Sequence, residues 1–441
     1  MNRLFITGTN SGCGKTTVTC AVLSALTARW IVPTAFKCGP DYIDTMFHRA
    51  VSGVRAYNLD PFFLDGDALR SHLARNAGEI SVIEGAMAYY DGIAATDEAS
   101  AYSVARKTKT PVILVVSARS IGSSIGAVID GFKRYRPENN ISGVIFNDAS
   151  RERYPDLQKI AESVGLRAYG YMPRKERWSM PSRYLGLLMT DEIEDLKHTL
   201  AELGEQAEQS LDIDGLIALA KTAPVLKAGE IPVPIVKSEI RLAVARDEAF
   251  CFLYEENLEL FQDLGCKPVF FSPLRDDALP EDIHGLYICG GYPELHAKEL
   301  AANKSMLESI RQAIERGVPS IAEGGGFMYL HERIGEMPMC GVIHAAAFET
   351  ARLQRFGYIT LTAERDNLLC MAGDAIRSNE FHYWDSTAPG EGFIASKAGR
   401  DFSYPCVHAT DSLYAGFPHL YFLANPEFAK NFVKKMMQYK G

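Results

Sequence analysis

Near its N-terminus the chain reads Gly8-Thr9-Asn10-Ser11-Gly12-Cys13-Gly14-Lys15-Thr16-Thr17, between a strand-like run, Arg3–Thr7, and a helical stretch, Lys15–Arg29. Glycines in such a turn let backbone N–H groups curl around phosphate oxygens, and the helix N-terminus adds its dipole. Lys15 contributes a point charge and Thr16 a hydroxyl suited to Mg²⁺. The spacing departs from the common GxxxxGK[ST] form only in its leading glycine, Gly8, which stands one residue further out. A Gly-rich surface turn does not account for Gly-Lys-Thr-Thr opening a helix directly after a first strand. The segment predicts a phosphate loop with Gly12, Gly14, Lys15, Thr16 and Thr17 as nucleotide contacts. Cys13 and Cys20 read as small packing residues.

Beyond the loop, continuous apolar runs at Ile80–Glu84, Pro111–Ser117 and Ser142–Asn147 alternate with helical stretches such as Ser123–Tyr135. That alternation predicts a parallel sheet covered on both faces. In open parallel sheets ligands sit at the carboxyl ends of strands. The acids and bases expected there are Lys37, Asp41 and Asp44 in KCGPDYID (37–44), and Glu84 and Asp91 in IEGAMAYYDG (83–92). Carboxylates beside phosphates are costly unless a metal bridges them, which implies Mg²⁺. Asn147, ending the strand, either reads a nucleotide base or makes an ordinary end-of-strand turn. Helical runs near Asp191–Gln209 and Asp214–Ala223 close the first domain, and Val225–Lys237, with a glycine and two prolines at its heart, breaks the pattern. We expect domains at 1–224 and 241–441 joined by a linker at 225–240. The second repeats the α/β alternation, with strands at Leu242–Ala245, Pro268–Ser272, Gly285–Ile288 and Pro319–Ala322.

Composition bounds the function. At 441 residues the chain is long enough for two or three domains, and 47% apolar with 23% charged residues marks a folded protein. A net charge of −9 lacks the footprint of a general nucleic-acid binder. No apolar run approaches the roughly 20 residues needed to cross a bilayer, and no export leader precedes the first strand. Nine scattered cysteines without a CxxC pair suit a reducing cytoplasm. The histidines, including His48, His296 and His382, do not cluster at metal-ligand spacing.

The phosphate loop, KCGPDYIDTMFH (37–48), YNLDPFF (57–63) and IEGAMAYYDG (83–92) together resemble the cobyrinate a,c-diamide synthases, which join a dethiobiotin-synthetase-like P-loop domain to a class I amidotransferase-like, flavodoxin-like domain. RLAVARDEAFCFLYEENLELF (241–261), VFFSPLRDDALP (269–280), LYICGGYPELHAKELAAN (286–303), NEFHYWD (379–385) and ANPEFAKNFV (424–433) extend the resemblance to about Phe432. It implies two doubly wound α/β domains and a two-step ligase. ATP phosphorylates a side-chain carboxylate of a corrinoid, and ammonia from glutamine displaces the phosphate. It further implies that Thr16, Glu84 and Asp44 hold Mg²⁺, that Lys37, Asp41, Asp44 and Asp91 serve the acceptor carboxylate, and that Tyr42 and Ile43 either select the acceptor or simply pack. Relatives with this architecture point to a homodimer. Other tetrapyrroles, nickel-sirohydrochlorin or sirohaem, are alternative acceptors, and a non-catalytic ATP- or tetrapyrrole-binding homologue is a third reading.

In the second domain the family places its nucleophilic cysteine on a sharp strand-to-helix turn. Here that turn reads Ala322-Glu323-Gly324-Gly325-Gly326-Phe327-Met328-Tyr329-Leu330, with Gly324 at the nucleophile position. Glycine can form no thioester, so the glutaminase chemistry is expected to be lost while the elbow survives. The resemblance assigns Gly290 and Gly291 to an oxyanion hole and His419 to the base. It leaves His382 as the histidine best placed to contact substrate and Cys289 as a core residue. Two departures from the family touch regions expected near substrate: Asn379 in place of histidine, and Ser182 and Tyr184 in Pro181–Gly186 in place of Glu and His.

Overall fold

A computed structural model describes residues 1–178, 190–229 and 240–439, with backbone alone for 190–194. The chain divides into two compact units, Met1–Ile231 and Pro232–Gly441. Pro181–Gly186, and with it the Ser182 and Tyr184 departures, lies outside the described residues, as does most of the expected linker.

The first unit is built on a seven-stranded parallel sheet. Its strands are β1 (Asn2–Gly8), β2 (Pro33–Cys38), β3 (Arg55–Leu59), β4 (Ile80–Glu84), β5 (Val112–Ser117), β6 (Ile141–Asn147) and β7 (Arg167–Met172), in the spatial order β3-β2-β4-β1-β5-β6-β7. The chain steps outward from β1 in both directions, so the crevice beyond its carboxyl end is the topological switch point. The helix α1 (Lys15–Ala28) follows directly. Its residues Val18 to Leu26 are buried almost all round, because the sheet covers one side and the helix Thr190–Ser210 the other. At Gly204 that second helix comes so near that a Cβ would lie 2.8 Å from Ser24 Cβ. Leu114, Ile129, Phe146 and Leu157 cover the opposite face.

The second unit has a central sheet whose parallel strands β8 (Ile240–Ala245), β9 (Cys266–Phe271), β10 (Gly285–Ile288), β11 (Ser320–Glu323) and Leu413–Gly416 run in the order 2-1-3-4-5, with His408–Ala409 antiparallel at one edge. This is the flavodoxin-like order. Two further sheets, largely antiparallel, are formed from residues between His331 and Leu420. The sequence reading did not anticipate them: their strands are short, and turns interrupt any alternation long enough to register. All nine cysteines are free, and all but Cys251 are buried. Among the described residues no helix is long and apolar enough to cross a membrane.

Candidate active site

The carboxyl ends of β1, β2, β4 and β6 bring the first set of predicted residues together. Gly14 starts α1 with φ +95°, a conformation that favours glycine, and a Cβ there would lie 2.0 Å from the Asn147 side-chain nitrogen and displace it. Asn147 Nδ2 donates to the Cys13 carbonyl at 3.0 Å, pinning the phosphate loop to β6. Its structural duty is thus visible. Lys15 is buried, its Nζ donates to the Asn10 carbonyl at 3.1 Å, and burial, aided by the nearby Lys37, lowers its pKa.

Lys37 and Glu84 are register partners on adjacent parallel strands, at 2% and 0% exposure. Two full charges at that depth persist only when paired. Lys37 Nζ donates to Glu84 Oε1 at 2.8 Å and to the Gly85 carbonyl at 3.3 Å, and forms an ion pair with Asp44. Burial works against the Lys37 charge, but Asp44, Glu84 and Asp41 outweigh it and hold the ammonium well above its ordinary pKa. For Glu84 burial again opposes ionisation, and Lys37 with His48 reverses it, leaving the carboxyl below its usual range. Asp44 is pushed up to about 6 by burial, with Asp41 and Glu84 adding to the rise and Lys37 opposing it.

Thr16 Oγ1 lies 2.9 Å from Glu84 Oε1 and 3.2 Å from Asp44 Oδ1. One hydroxyl and two carboxylates thus converge at the start of α1. Among the described residues no group of three His, Cys, Asp or Glu side chains is arranged to hold a metal alone. A hard-oxygen set this small fits Mg²⁺, which keeps waters and shares phosphate ligands.

The helix α2 (Tyr42–Ala50) delivers Asp44. Asp41 caps it, accepting from the Asp44 amide at 3.0 Å, and Asn58 Nδ2 holds the preceding turn through the carbonyls of Gly39 (2.8 Å) and Asp41 (2.9 Å). Tyr42 is buried, and Ile43 packs against the core of the first unit, which favours the packing reading for Ile43. Asp91 accepts from the Ala88 amide at 3.1 Å and closes its own loop. Sequence reasoning passed over His48, whose Nε2 lies 2.6 Å from Glu84 Oε2 with both side chains fully buried. The available signal was spacing: Asp44 and His48 stand four apart on one helix face.

The second set surrounds Gly324 in the other unit. Gly324 has φ +51° and ψ −112° between β11 and the helix Gly325–Tyr329, the strained turn of a nucleophile elbow. A Cβ at this position would lie 3.0 Å from His419 Nε2 and 2.7 Å from its Cε1, so any side chain here points at the imidazole. A Cβ on Gly290 would stand 2.4 Å from the same ring, and one on Gly291 would stand 2.0 Å from the Ala249 carbonyl, so backbone packing requires glycine at position 291. Glu323, also missed, receives the Leu420 amide at 3.0 Å and Tyr287 Oη at 3.1 Å, and its Oε2 lies 3.7 Å from His419 Nδ1. Asn379 pairs in register with His419 and accepts from Tyr254 Oη at 3.0 Å. His382 stacks on Phe417 at 3.9 Å and engages the Trp384 carbonyl through Nδ1 at 2.6 Å. Cys289 is fully buried, and burial drives its thiol well above the ordinary range, so it offers no substitute thiolate.

Residues 4–187 match the CobQ/CobB/MinD/ParA nucleotide-binding domain family, and residues 241–427 match the CobB/CobQ-like glutamine amidotransferase domain family. Over 99% of its length the chain is 37% identical to the cobyrinate a,c-diamide synthase of Caldanaerobacter subterraneus subsp. tengcongensis, of which it covers 98%. The chain belongs to the cobyrinate a,c-diamide synthase family. It is also 39% identical to the synthase of Listeria monocytogenes serotype 4b, covering 96% of this chain and 97% of that one, and 36% identical to that of Clostridium acetobutylicum, covering 98% and 100%. Within that family, its first unit is the nucleotide-binding domain and its second the amidotransferase-like domain.

Proposed function

We propose that the chain is an ATP- and Mg²⁺-dependent amide ligase that converts the a- and c-acetate carboxylates of cobyrinate to amides, using ammonia that its own second unit does not make. The observation that carries the ammonia reading is Gly324 facing His419: the base is aimed at a position with no thiol to deprotonate. Full-length relatives that are 36–39% identical are cobyrinate a,c-diamide synthases, which supports cobyrinate as the acceptor. No observation favours nickel-sirohydrochlorin, sirohaem or a non-catalytic role, and the complete Lys15, Thr16, Lys37, Asp44 and Glu84 set speaks against the last. Domain limits at 1–224 and 241–441, a cytoplasmic location and a homodimer belong to the same proposal.

A carboxylate is a poor acyl donor. Its oxygen attacks the γ-phosphorus of ATP, ADP leaves, and the acyl phosphate is then attacked at carbon by ammonia, which releases phosphate and gives the amide. The phosphate-loop amides, with Gly12, Gly14, Lys15 and Thr17, bind the phosphates. Lys37 places a buried cation beside the reacting oxygens, where positioning and charge stabilisation supply most of the rate. Thr16, Asp44 and Glu84 would hold Mg²⁺, which when bound neutralises phosphate charge. Asp41, through its cap on α2, and Asp91 and Tyr42 shape the acceptor region. The test is amide formation by the full chain with ATP, Mg²⁺ and cobyrinate, comparing ammonium with glutamine by mass spectrometry. Ammonium-dependent product without glutamine-dependent product is expected, and efficient use of glutamine would overturn the proposal.

A further inference from the structure

We infer that His48 is a positioning residue of the phosphate site, holding the Glu84 carboxylate in the orientation that serves Thr16 and Lys37. Glu84 ends β4 with both oxygens buried. Oε1 receives the Thr16 hydroxyl at 2.9 Å and the Lys37 ammonium at 2.8 Å. Oε2 turns to the other side and meets His48 Nε2 at 2.6 Å. A carboxylate oxygen fully removed from water carries a large desolvation cost if its donor is deleted. Its simplest escape is rotation about the terminal bond, which would take Oε1 off Thr16 and Lys37.

The imidazole is built for donation in one direction. His48 Nδ1 is buried with no hydrogen-bond partner among the described residues, so a proton there would be stranded. A carboxylate oxygen only accepts, so Nε2 carries a hydrogen and gives it to Glu84. His48 also shares α2 with Asp44, one turn earlier, so a single capped helix fixes both an acid near Thr16 and the donor that orients the other acid. Outer partners of this kind typically change metal affinity by 10–100-fold when removed.

The inference rests on the proposal that Thr16, Asp44 and Glu84 hold Mg²⁺, and its test separates the two. A fluorescent ATP analogue is bound to the full chain without acceptor, and the Mg²⁺ concentration giving half-maximal enhancement of binding is measured. His48→Ala should raise that concentration about tenfold or more. His48→Gln, whose amide nitrogen can replace Nε2–H, should return it to within about threefold of the parent chain. An unchanged Mg²⁺ midpoint in His48→Ala, or no rescue by His48→Gln, overturns the role of His48. If His48→Ala does not fold, His48→Asn, too short to reach Glu84, is compared with His48→Gln, and equal midpoints overturn it. A parent chain whose nucleotide binding ignores Mg²⁺ defeats the underlying metal proposal instead.

Discussion

Replacing Gly324 tests the reading of the silent elbow from both sides. At φ +51° and ψ −112° any side chain is strained, by about 1–3 kcal/mol for a non-glycine residue in such a region. The added Cβ would stand 2.7 Å from His419 Cε1, so the ring must also move. For a unit of about 200 residues, 1 kcal/mol shifts the melting temperature by about 2–4 °C, so Gly324→Ala and Gly324→Cys should each lose roughly 2–12 °C. The two variants carry the same strain, and only one carries a thiol. A cysteine Sγ on that Cβ comes within hydrogen-bond reach of His419 Nε2, the arrangement that activates a nucleophile.

Glutamate release from glutamine, followed alongside calorimetric melting, reads both effects. The parent chain and Gly324→Ala should show background hydrolysis only. Gly324→Cys should exceed them by on the order of 10³-fold, well within what losing a nucleophile costs a hydrolase. Hydrolysis by the parent chain, or by Gly324→Ala, would refute the claim that the missing thiol silences the site. Full melting temperature in both variants would refute the strained elbow.

Two other outcomes follow from buried charge. Lys37→Met leaves Glu84 and Asp44 facing each other at depth without their cation, so it should destabilise the first unit by about 3–5 kcal/mol in denaturant unfolding and abolish amidation. In the second unit, burial pushes His331, held between the Phe327 carbonyl and Ser386, down to about 4. The unfolded chain, with an ordinary histidine pKa near 6.5, then binds more protons between about pH 4 and 6.5, so stability should rise with pH across that window, by at most about 3 kcal/mol from this residue. Melting profiles of the parent and His331→Asn should diverge there and nowhere above pH 7; parallel profiles would reject the assignment.

How far the sequence could be read depended on whether a signal was local. Gly14-Lys15-Thr16 between strand and helix is local, and so are the apolar runs of β1, β4, β5 and β6. Lys37 and Glu84 were legible as polar residues closing apolar strands, and Asp44 as an acid in the turn that follows β2. The short strands after His331 carried no such contrast, and their pairings, such as Asn379 with His419, join segments 40 residues apart. His48 was hidden for another reason. A histidine on an amphipathic helix looks like any other core histidine until the strand opposite is known to end in a buried acid.

The elbow shows why retained surroundings say little about retained chemistry. Gly325 stands 2.6 Å, at its would-be Cβ, from Pro293, and Gly326 stands 2.2 Å from the Ile288 carbonyl, so both are demanded by backbone packing whether or not a thiol precedes them. A Cβ on Gly290 would stand 2.4 Å from the His419 ring, which would have to move to admit it. Glu323 is fixed by the Leu420 amide and Tyr287, and Asn257 ties the same segment down through the Leu420 carbonyl at 2.7 Å and the Phe422 amide at 2.9 Å. Each of these groups satisfies a buried partner, and its loss would cost about 1–3 kcal/mol irrespective of catalysis. The nucleophile is the exception. A side chain at position 324 would face the His419 ring and carry the strain of φ +51°, so glycine there relaxes the elbow and, on the function proposed above, withdraws the one group whose role is chemical.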